Sequence, residues 1–185
     1  LLRDMDKAVA RICQAVEKKE RIIVYGDYDV DGITATTVLV RCLRQLGADV
    51  SYYIPNRLTE GYGFKAEALR KIKDGGADLL VSVDCGISAV AEVAGIAAEL
   101  DIVITDHHLP GPTLPAALAV VDPHRKDCTY PYEELAGVGV AFKLCQALWR
   151  ELRQEEYEQD LELVALGTVA DIVPLVGENR KLVRL

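Results

Sequence analysis

The segment Arg21-Ile-Ile-Val-Tyr-Gly-Asp-Tyr-Asp-Val-Asp-Gly32 is the strongest indication of fold class in this 185-residue chain. Its apolar run Ile22 to Tyr25 predicts a buried parallel strand, and the acidic turn that follows leads into a helix predicted from about Ile33 to Leu46. Two more apolar runs, Leu79 to Val83 and Ile102 to Ile104, also predict strands that end at acidic residues. Strands that alternate with helices indicate a mostly parallel sheet.

The remaining segments complete the prediction of a three-layer α/β domain, a mostly parallel five-stranded sheet flanked by helices, with a helical C-terminal part. The predicted helices cover residues 4–19, 33–46, 66–73, 88–100, 137–153 and 161–170, and the predicted strands cover residues 21–25, 50–54, 78–83, 102–104 and 119–121. We interpret residues 1–185 as a single domain, since this length suits one hydrophobic core. Because the sequence lacks an initiator Met and ends within a helical pattern, we expect a fragment of a longer protein.

The composition limits the class of protein. The net charge of −8 argues against a stand-alone nucleic-acid binder, which usually carries a basic face, but bound cations would cancel several acidic charges. No run of about 18 apolar residues and no signal-peptide pattern occurs, so we expect no membrane partner. The cysteines are scattered and odd in number, which favours reduced thiols and a cytoplasmic protein. They are Cys13, Cys42, Cys85, Cys128 and Cys145.

Acidic and imidazole side chains follow the predicted strands where the strands end. Ligand sites of open α/β sheets form outside the carboxyl ends of the strands, so we expect these side chains to gather on one rim. Asp171 is included because an acid at a helix C-terminus opposes the helix dipole, which suggests a role. So many negative charges repel one another unless cations lie among them, which predicts a metal site with two ions. The candidates are Asp27, Asp29, Asp31, Asp84, Asp106, His107, His108 and Asp171.

Each of these segments alone has a simpler interpretation. The turn Asp27 to Gly32 also fits a calcium-type loop or a solvated helix cap, although an EF-hand would need a glutamate near Arg41. A single acid such as Asp84 is common as a cap or turn residue. His107 and His108 point in different directions on an extended segment. Only one is therefore predicted as a direct ligand, and the other as a group that binds phosphate, donates a proton or orients its neighbour.

The glycine-rich loop after the second predicted strand should reach the same rim. Arg57 and Lys65 are candidates to hold a phosphate, and Tyr62 or Phe64 to stack on a base. The same residues are equally compatible with an ordinary surface turn.

Two further segments carry weaker signals. Asp122-Pro-His124 follows a short predicted strand, but Asp before Pro commonly opens a turn, so we rate it below the other acids. Gly137-Val-Gly139 lacks the third glycine and the preceding strand of a dinucleotide-binding fingerprint. We assign it no role from the sequence.

Taken in chain order, the acidic segments resemble the DHH phosphoesterase superfamily, named for Asp106-His107-His108, and within it the RecJ branch of single-stranded-DNA-specific exonucleases. The resemblance runs from about Arg21 to the end of the chain. It also rests on Pro55-Asn-Arg-Leu-Thr-Glu-Gly-Tyr-Gly63, Thr105-Asp-His-His-Leu-Pro-Gly111, Leu135-Ala-Gly-Val-Gly-Val-Ala-Phe142 and Ala165-Leu-Gly-Thr-Val-Ala-Asp-Ile-Val-Pro-Leu175.

The resemblance implies two divalent ions, Mn²⁺ or Mg²⁺. By analogy, Asp29 binds one ion and Asp31 the other, Asp84 bridges them, and His107 and Asp171 complete the second position. Relatives have a histidine ligand four residues before Asp29, where this chain has Tyr25, so Asp27 is expected to substitute for it. Asp106 and His108 are expected to support the ligands or bind phosphate, and Arg57 and His108 to contact substrate.

The function that the resemblance implies is two-metal hydrolysis of phosphodiester bonds, most simply 5′-to-3′ digestion of single-stranded DNA by a monomer in DNA repair and recombination. Such enzymes carry a second DHH-associated domain and an OB-fold, neither of which is found here. We expect C-terminal domains of the same polypeptide to supply them, and the chain alone to be weakly active or inactive. One alternative is a DHH phosphodiesterase for short oligonucleotides or cyclic dinucleotides. The other is a non-catalytic DHH-like scaffold.

Overall fold

The central sheet of the computed structural model, which describes residues 1–184, has five strands. They are β1 (Arg21–Tyr25), β2 (Asp49–Tyr53), β3 (Leu79–Ser82), β4 (Asp101–Thr105) and β5 (Ala119–Val121). Their order is β2-β1-β3-β4-β5, and every neighbouring pair is parallel. The predicted five-stranded α/β fold is confirmed, with a sheet that is parallel throughout.

Seven helices surround this sheet within the described residues. They are α1 (Met5–Lys18), α2 (Val30–Gln45), α3 (Ala66–Asp74), α4 (Val90–Ala94), α5 (Gly137–Arg153), α6 (Leu161–Ala170) and α7 (Gly177–Arg184). None of these helices combines the length and the apolar character needed to cross a lipid bilayer.

Two predicted helix boundaries were wrong. Helix α2 begins three residues before the predicted Ile33, because the side chain of Asp29 caps it by accepting a hydrogen bond from Gly32 N–H at 2.9 Å. The predicted helix 88–100 contains only α4, which ends at Ala94 and is followed by Gly95 as its C-cap. Ile96 and Leu100 are nevertheless buried, so the apolar pattern came from packing in the turns that follow.

Alternate side chains of the strands face two separate cores. Ile22 and Val24 of β1 pack with the helices α1, α2 and α5 on one face of the sheet. Ile23 and Tyr25, which point the other way, pack with residues of α3 and α4. A sheet covered on both faces explains why its strands are apolar almost throughout rather than alternating.

The strand order creates a switch point between β1 and β3. After β1 the chain crosses to β2 on one side, and it later returns to place β3 on the other side of β1. The loops that leave the carboxyl ends of β1 and β3 therefore diverge and leave a crevice between them. The acidic loop after β1 and Asp84 after β3 lie at this crevice.

Candidate metal centre

The loop between β1 and α2 is tight, and it fixes three carboxylates in different directions. A Cβ atom on Gly26 would lie 1.9 Å from Oγ1 of Thr36, so only glycine fits there. Asp27 is buried, and one of its carboxylate oxygens has no hydrogen-bond partner. Asp29 caps α2 with one oxygen, and Asp31, in the first turn of that helix, points towards the N-terminus of α5.

Asp84 adopts a backbone conformation that is rare for residues other than glycine. Its φ is 59°, in the left-handed region, and only 2% of the residue is exposed. Such a conformation costs on the order of 1 kcal/mol and is found where a local constraint or a function maintains it. It directs the carboxylate of Asp84 into the crevice between the β1 and β3 loops.

His107 lies at the centre of the acidic side chains. Its Nε2 atom is 3.1 Å from Oδ1 of Asp84, 3.7 Å from Oδ2 of Asp171 and 3.8 Å from Oδ2 of Asp31. Although Nε2 and Oδ1 of Asp84 are close and both buried, they are not aligned for a hydrogen bond, and each lacks a partner. Buried polar atoms without partners are costly unless a ligand satisfies them, so this arrangement fits a bound cation.

Among residues 1–184, three groups of side chains offer donor atoms that lie within 4.8 Å of one another. Asp84 and His107 each belong to two of these groups. Carboxylate and imidazole donors suit Mn²⁺, and oxygen donors suit Mg²⁺. The groups are Asp27 with Asp29 and Asp84, Asp31 with His107 and Asp171, and Asp84 with His107 and His108.

Burial and mutual repulsion oppose ionisation of these acids. Desolvation, followed by the charge of Asp84, raises the pKa of Asp31 to about 8. Desolvation and the charge of Asp106 raise the pKa of Asp84 well above its ordinary value. The pKa values of Asp27 and Asp171 are also raised, mainly by desolvation. Divalent cations would reverse this tendency, because their charge favours the ionised carboxylates.

Asp106 organises the turn that carries the two histidines. One of its oxygens accepts a hydrogen bond from Ile87 N–H at 2.9 Å, and the other accepts from the N–H groups of His107 and His108. The same oxygen lies 2.7 Å from Nδ1 of His108. This hydrogen bond raises the pKa of His108 to about 9, against the effect of desolvation. Asp106 thus faces its own turn, whereas His108 is partly exposed and positively charged at neutral pH.

The loop after β2 reaches the same rim, as expected. Glu60 fixes it by accepting hydrogen bonds from the hydroxyl of Tyr53 and from Asn56 N–H. Tyr62 is exposed, and its hydroxyl lies 3.2 Å from Nδ1 of His108. Arg57 is also exposed, with its guanidinium carbon 5.4 Å from the centre of the Tyr28 ring.

The suggestion that Phe64 stacks on a base was wrong. Phe64 is buried and packs edge-on against Tyr25, with ring centroids 4.9 Å apart. Burial of the aromatic ring in this apolar layer stabilises the fold more than exposure of the ring at the rim would.

Asp122, which was rated below the other acids from the sequence, is close enough to Asp106, His107 and His108 for their charges to affect its pKa. It follows β5 and is fully buried, with one oxygen accepting from His124 N–H at 2.7 Å and the other without a partner. Burial, together with the charge of Asp106, raises its pKa to about 7. The position of Asp122 after a strand was the sequence signal that placed it on the rim. Asp122 does not belong to any of the three donor groups.

The comparisons with known proteins agree with this geometry. The sequence profile of the DHH family, N-terminal domain, matches residues 21–168. The single-stranded-DNA-specific exonuclease RecJ of Bacillus subtilis is 51% identical over 186 residues, which cover 100% of this chain and 23% of that protein. The chain therefore spans about a quarter of the length of this relative.

Solved structures of RecJ proteins have the same fold. A crystal structure of exonuclease RecJ bound to manganese matches with a TM-score of 0.92 and 41% identity, over 100% of this chain and 47% of the other. RecJ from Thermus thermophilus in complex with Mn²⁺ matches with a TM-score of 0.85 and 38% identity, over 99% and 26% of the two chains. The same protein in complex with Mg²⁺ gives a TM-score of 0.70. The chain therefore belongs to the DHH family.

Proposed function

We propose that this chain is the catalytic domain of a metal-dependent exonuclease that hydrolyses phosphodiester bonds of single-stranded DNA from the 5′ end. The observation that carries the proposal is the position of Asp84, which shares a donor group with Asp27 and Asp29 and whose Oδ1, buried and without a partner, lies 3.1 Å from Nε2 of His107. His107 in turn belongs to the group with Asp31 and Asp171. A bridging carboxylate between two cations is the arrangement that two-metal hydrolysis requires. The relatives named as RecJ exonucleases support the same reaction.

In this proposal one ion, Mn²⁺ or Mg²⁺, is held by Asp29, Asp84 and Asp27, and the other by Asp31, Asp84, His107 and Asp171. When bound, the ions supply an activated water and neutralise the charge that develops on the phosphoryl oxygens. An acid or imidazole stands at every proposed ligand position, with Asp27 in place of the histidine that relatives carry, and this argues against a non-catalytic scaffold.

The other residues of the rim act on the substrate directly or through their neighbours. His108 carries a positive charge at neutral pH and is partly exposed, so it can donate a hydrogen bond to a phosphate oxygen or a proton to the leaving oxygen. Asp106 orients it. We assign to Arg57, which is exposed on the loop fixed by Glu60, a contact with a backbone phosphate of the incoming strand.

The choice of DNA and the direction of digestion are proposed for the whole polypeptide, because the curated relative is several times longer than this chain. We propose that this chain works with further domains of that polypeptide, as a monomer in the cytoplasm, in DNA repair and recombination. The scattered positions of the five cysteines, none of which is paired with another, support this proposal, since disulfide bonds are rare in the cytoplasm.

The direct test is a nuclease assay on the natural full-length polypeptide, with single-stranded and duplex DNA labelled at either end and Mn²⁺ present. We expect stepwise loss of nucleotides from the 5′ end of single strands, and no activity in the Asp84→Asn variant. Asp74→Asn is the matched control, because Asp74 is an exposed acid at the end of α3. Hydrolysis of short oligonucleotides or cyclic dinucleotides alone would favour the phosphodiesterase alternative, and full activity of Asp84→Asn would refute the metal assignment.

A further inference from the structure

The first turn of α5 makes direct contact with two of the proposed metal ligands. Gly137 N–H donates a hydrogen bond to Oδ2 of Asp31 at 2.6 Å, and Val138 N–H donates to Oδ1 at 2.8 Å. Asp31 is 106 positions away from Gly137 in the chain and is almost completely buried. The N-cap residue of α5, Ala136, makes no side-chain cap hydrogen bond, so Asp31 occupies the place of a cap.

The two amide groups leave part of the carboxylate available. Each ionised carboxylate oxygen can accept more than one hydrogen bond or metal contact, and each amide uses only one of these positions on Asp31. Two donors fix the plane of the carboxylate, and the positive end of the α5 dipole favours its negative charge. The free positions of Asp31 are then directed towards His107, whose Nε2 is 3.8 Å from Oδ2.

Gly137 also allows Asp84 to occupy its place. A Cβ atom on Gly137 would lie 2.5 Å from Oδ1 of Asp84 and 2.6 Å from its Cβ atom. Asp84 could not move aside easily, because it is buried and its backbone is held in the left-handed region. Any side chain at position 137 would therefore displace the α5 amide groups, the carboxylate of Asp84, or both.

We propose that the first turn of α5 is a positioning element of the metal centre, in which the amide groups of Gly137 and Val138 orient Asp31 while the bare Cα of Gly137 makes room for Asp84. The proposal rests on the proposed function, since it concerns the same ions. It gives a role to the first two residues of the Gly137-Val-Gly139 motif, which does not resemble a nucleotide-binding loop. Gly137 acts through Asp31 and Asp84 and does not touch the substrate.

Gly139 provides a matched control within the same turn. A Cβ atom there would meet only the side chain of Leu135, at 3.3 Å from a terminal methyl group that can shift. Gly137→Ala and Gly139→Ala make the same chemical change in the same helix. They therefore have a similar effect on helix propensity, but only Gly137→Ala disturbs the two acids.

The test is calorimetric titration of Mn²⁺ into wild type, Gly137→Ala and Gly139→Ala, with metal-free thermal unfolding measured in parallel to separate folding from ion binding. We expect Gly139→Ala to bind like wild type and Gly137→Ala to bind at least about tenfold more weakly while still folded. Equal affinities in all three proteins would overturn the positioning role alone. No binding by wild type would instead refute the proposed metal function.

A measurement on wild type covers the case in which Gly137→Ala does not fold. Mg²⁺ titration followed by ¹⁵N NMR should shift the amide resonances of Gly137 and Val138 with the same midpoint as the calorimetric binding. Calorimetric Mg²⁺ binding that leaves both resonances unmoved would contradict the proposal, because the hydrogen bonds to Asp31 must respond when its carboxylate binds a cation.

Discussion

Nε2 of His107 lies 3.1 Å from Oδ1 of Asp84, although the two residues follow different strands, β4 and β3. The two atoms are buried without forming a hydrogen bond, and the backbone of Asp84 is in the left-handed region. The fold thus maintains a costly arrangement of polar atoms at the carboxyl edge of the sheet. Such local cost is expected where a site is preorganised for a ligand rather than for stability.

Replacement of Asp84 by asparagine should stabilise the metal-free protein. The change removes one of several crowded acids whose ionisation is opposed by burial and by its neighbours. We expect the free energy of unfolding near pH 8 to rise by on the order of 1–2 kcal/mol, which raises Tm by a few degrees. Thermal unfolding with a chelator or with Mn²⁺ tests both consequences, since stabilisation by Mn²⁺ should disappear in this variant.

The control for this variant is Asp74→Asn, which removes one negative charge from the exposed end of α3. It should change neither the metal-free Tm nor the effect of Mn²⁺. If Mn²⁺ stabilised Asp84→Asn as strongly as it stabilises wild type, the bridging role of Asp84 would be wrong.

The metal-free protein should lose stability as the pH rises. The folded pKa of Asp31 is about 8 against an ordinary value of 3.8, so between these values the folded protein binds more protons than the unfolded chain, and its stability falls with pH. His108, with a pKa raised from 6.5 to about 9, acts in the same direction because its stabilising charge is lost as the pH passes through about 9.

Mn²⁺ should have the opposite pH dependence, because it binds the deprotonated ligands. Tm measured from about pH 5 to about pH 9 should fall in chelator, and the increase in Tm caused by Mn²⁺ should grow across the same range. A metal-free Tm that rises steadily over this range would show that the site acids are not the dominant titrating groups.

Asp106→Asn should lower the pKa of His108 towards its ordinary value, because the charged hydrogen-bond partner is lost. Asparagine also cannot accept all the hydrogen bonds that reach the two oxygens of Asp106, so we expect a loss of about 1–3 kcal/mol in the free energy of unfolding. Only three histidines are present, which makes an NMR titration of the imidazoles practical.

The exposed acid Asp49, at the start of β2, provides the comparison for this titration. Asp49→Asn should leave the His108 titration unchanged. An Asp106→Asn protein in which His108 still titrates near pH 9 would contradict the account of this pair.

Arg57→Ala should weaken binding of single-stranded DNA by the full-length protein with little change in kcat. The loss of one phosphate contact should raise KM several-fold. It should also reduce the slope of log K for binding against log salt concentration by roughly one. Arg44→Ala is the control, since Arg44 lies in the last turn of α2, at the end of that helix away from the rim. If the two substitutions raised KM equally, Arg57 would contribute only to the general electrostatic attraction of DNA and would not make a specific phosphate contact.

The fold and the location of the site were predictable for a physical reason. Parallel strands share one carboxyl edge, so the acids after β1, β3 and β4 had to meet there once the strands were recognised. The left-handed backbone of Asp84 and the contact of Asp31 with α5 were not predictable in this way. The backbone of Asp84 depends on local loop geometry. The contact of Asp31 uses backbone amides 106 and 107 positions away, and a backbone amide is not visible in the pattern of side chains.

Two errors have similar physical origins. The apolar run 88–100 has the composition of a helix, but Gly95 ends α4 and the remaining apolar residues are buried in turns. Phe64 lies in a loop that was expected to be exposed, but the neighbouring Tyr25 ring provides an apolar surface that buries it. The periodicity and composition of apolar residues indicate that a segment is buried, but they do not indicate whether its backbone is a helix or a series of turns.

Anomalous diffraction at the manganese edge, from crystals of this chain grown with Mn²⁺, would locate the bound ions directly. We expect two peaks in the crevice, both in contact with Asp84, one also bounded by Asp29 and the other by His107 and Asp171. A single peak that Asp84 does not touch, or no peak in the crevice while Mn²⁺ binds elsewhere on the chain, would contradict the two-ion centre.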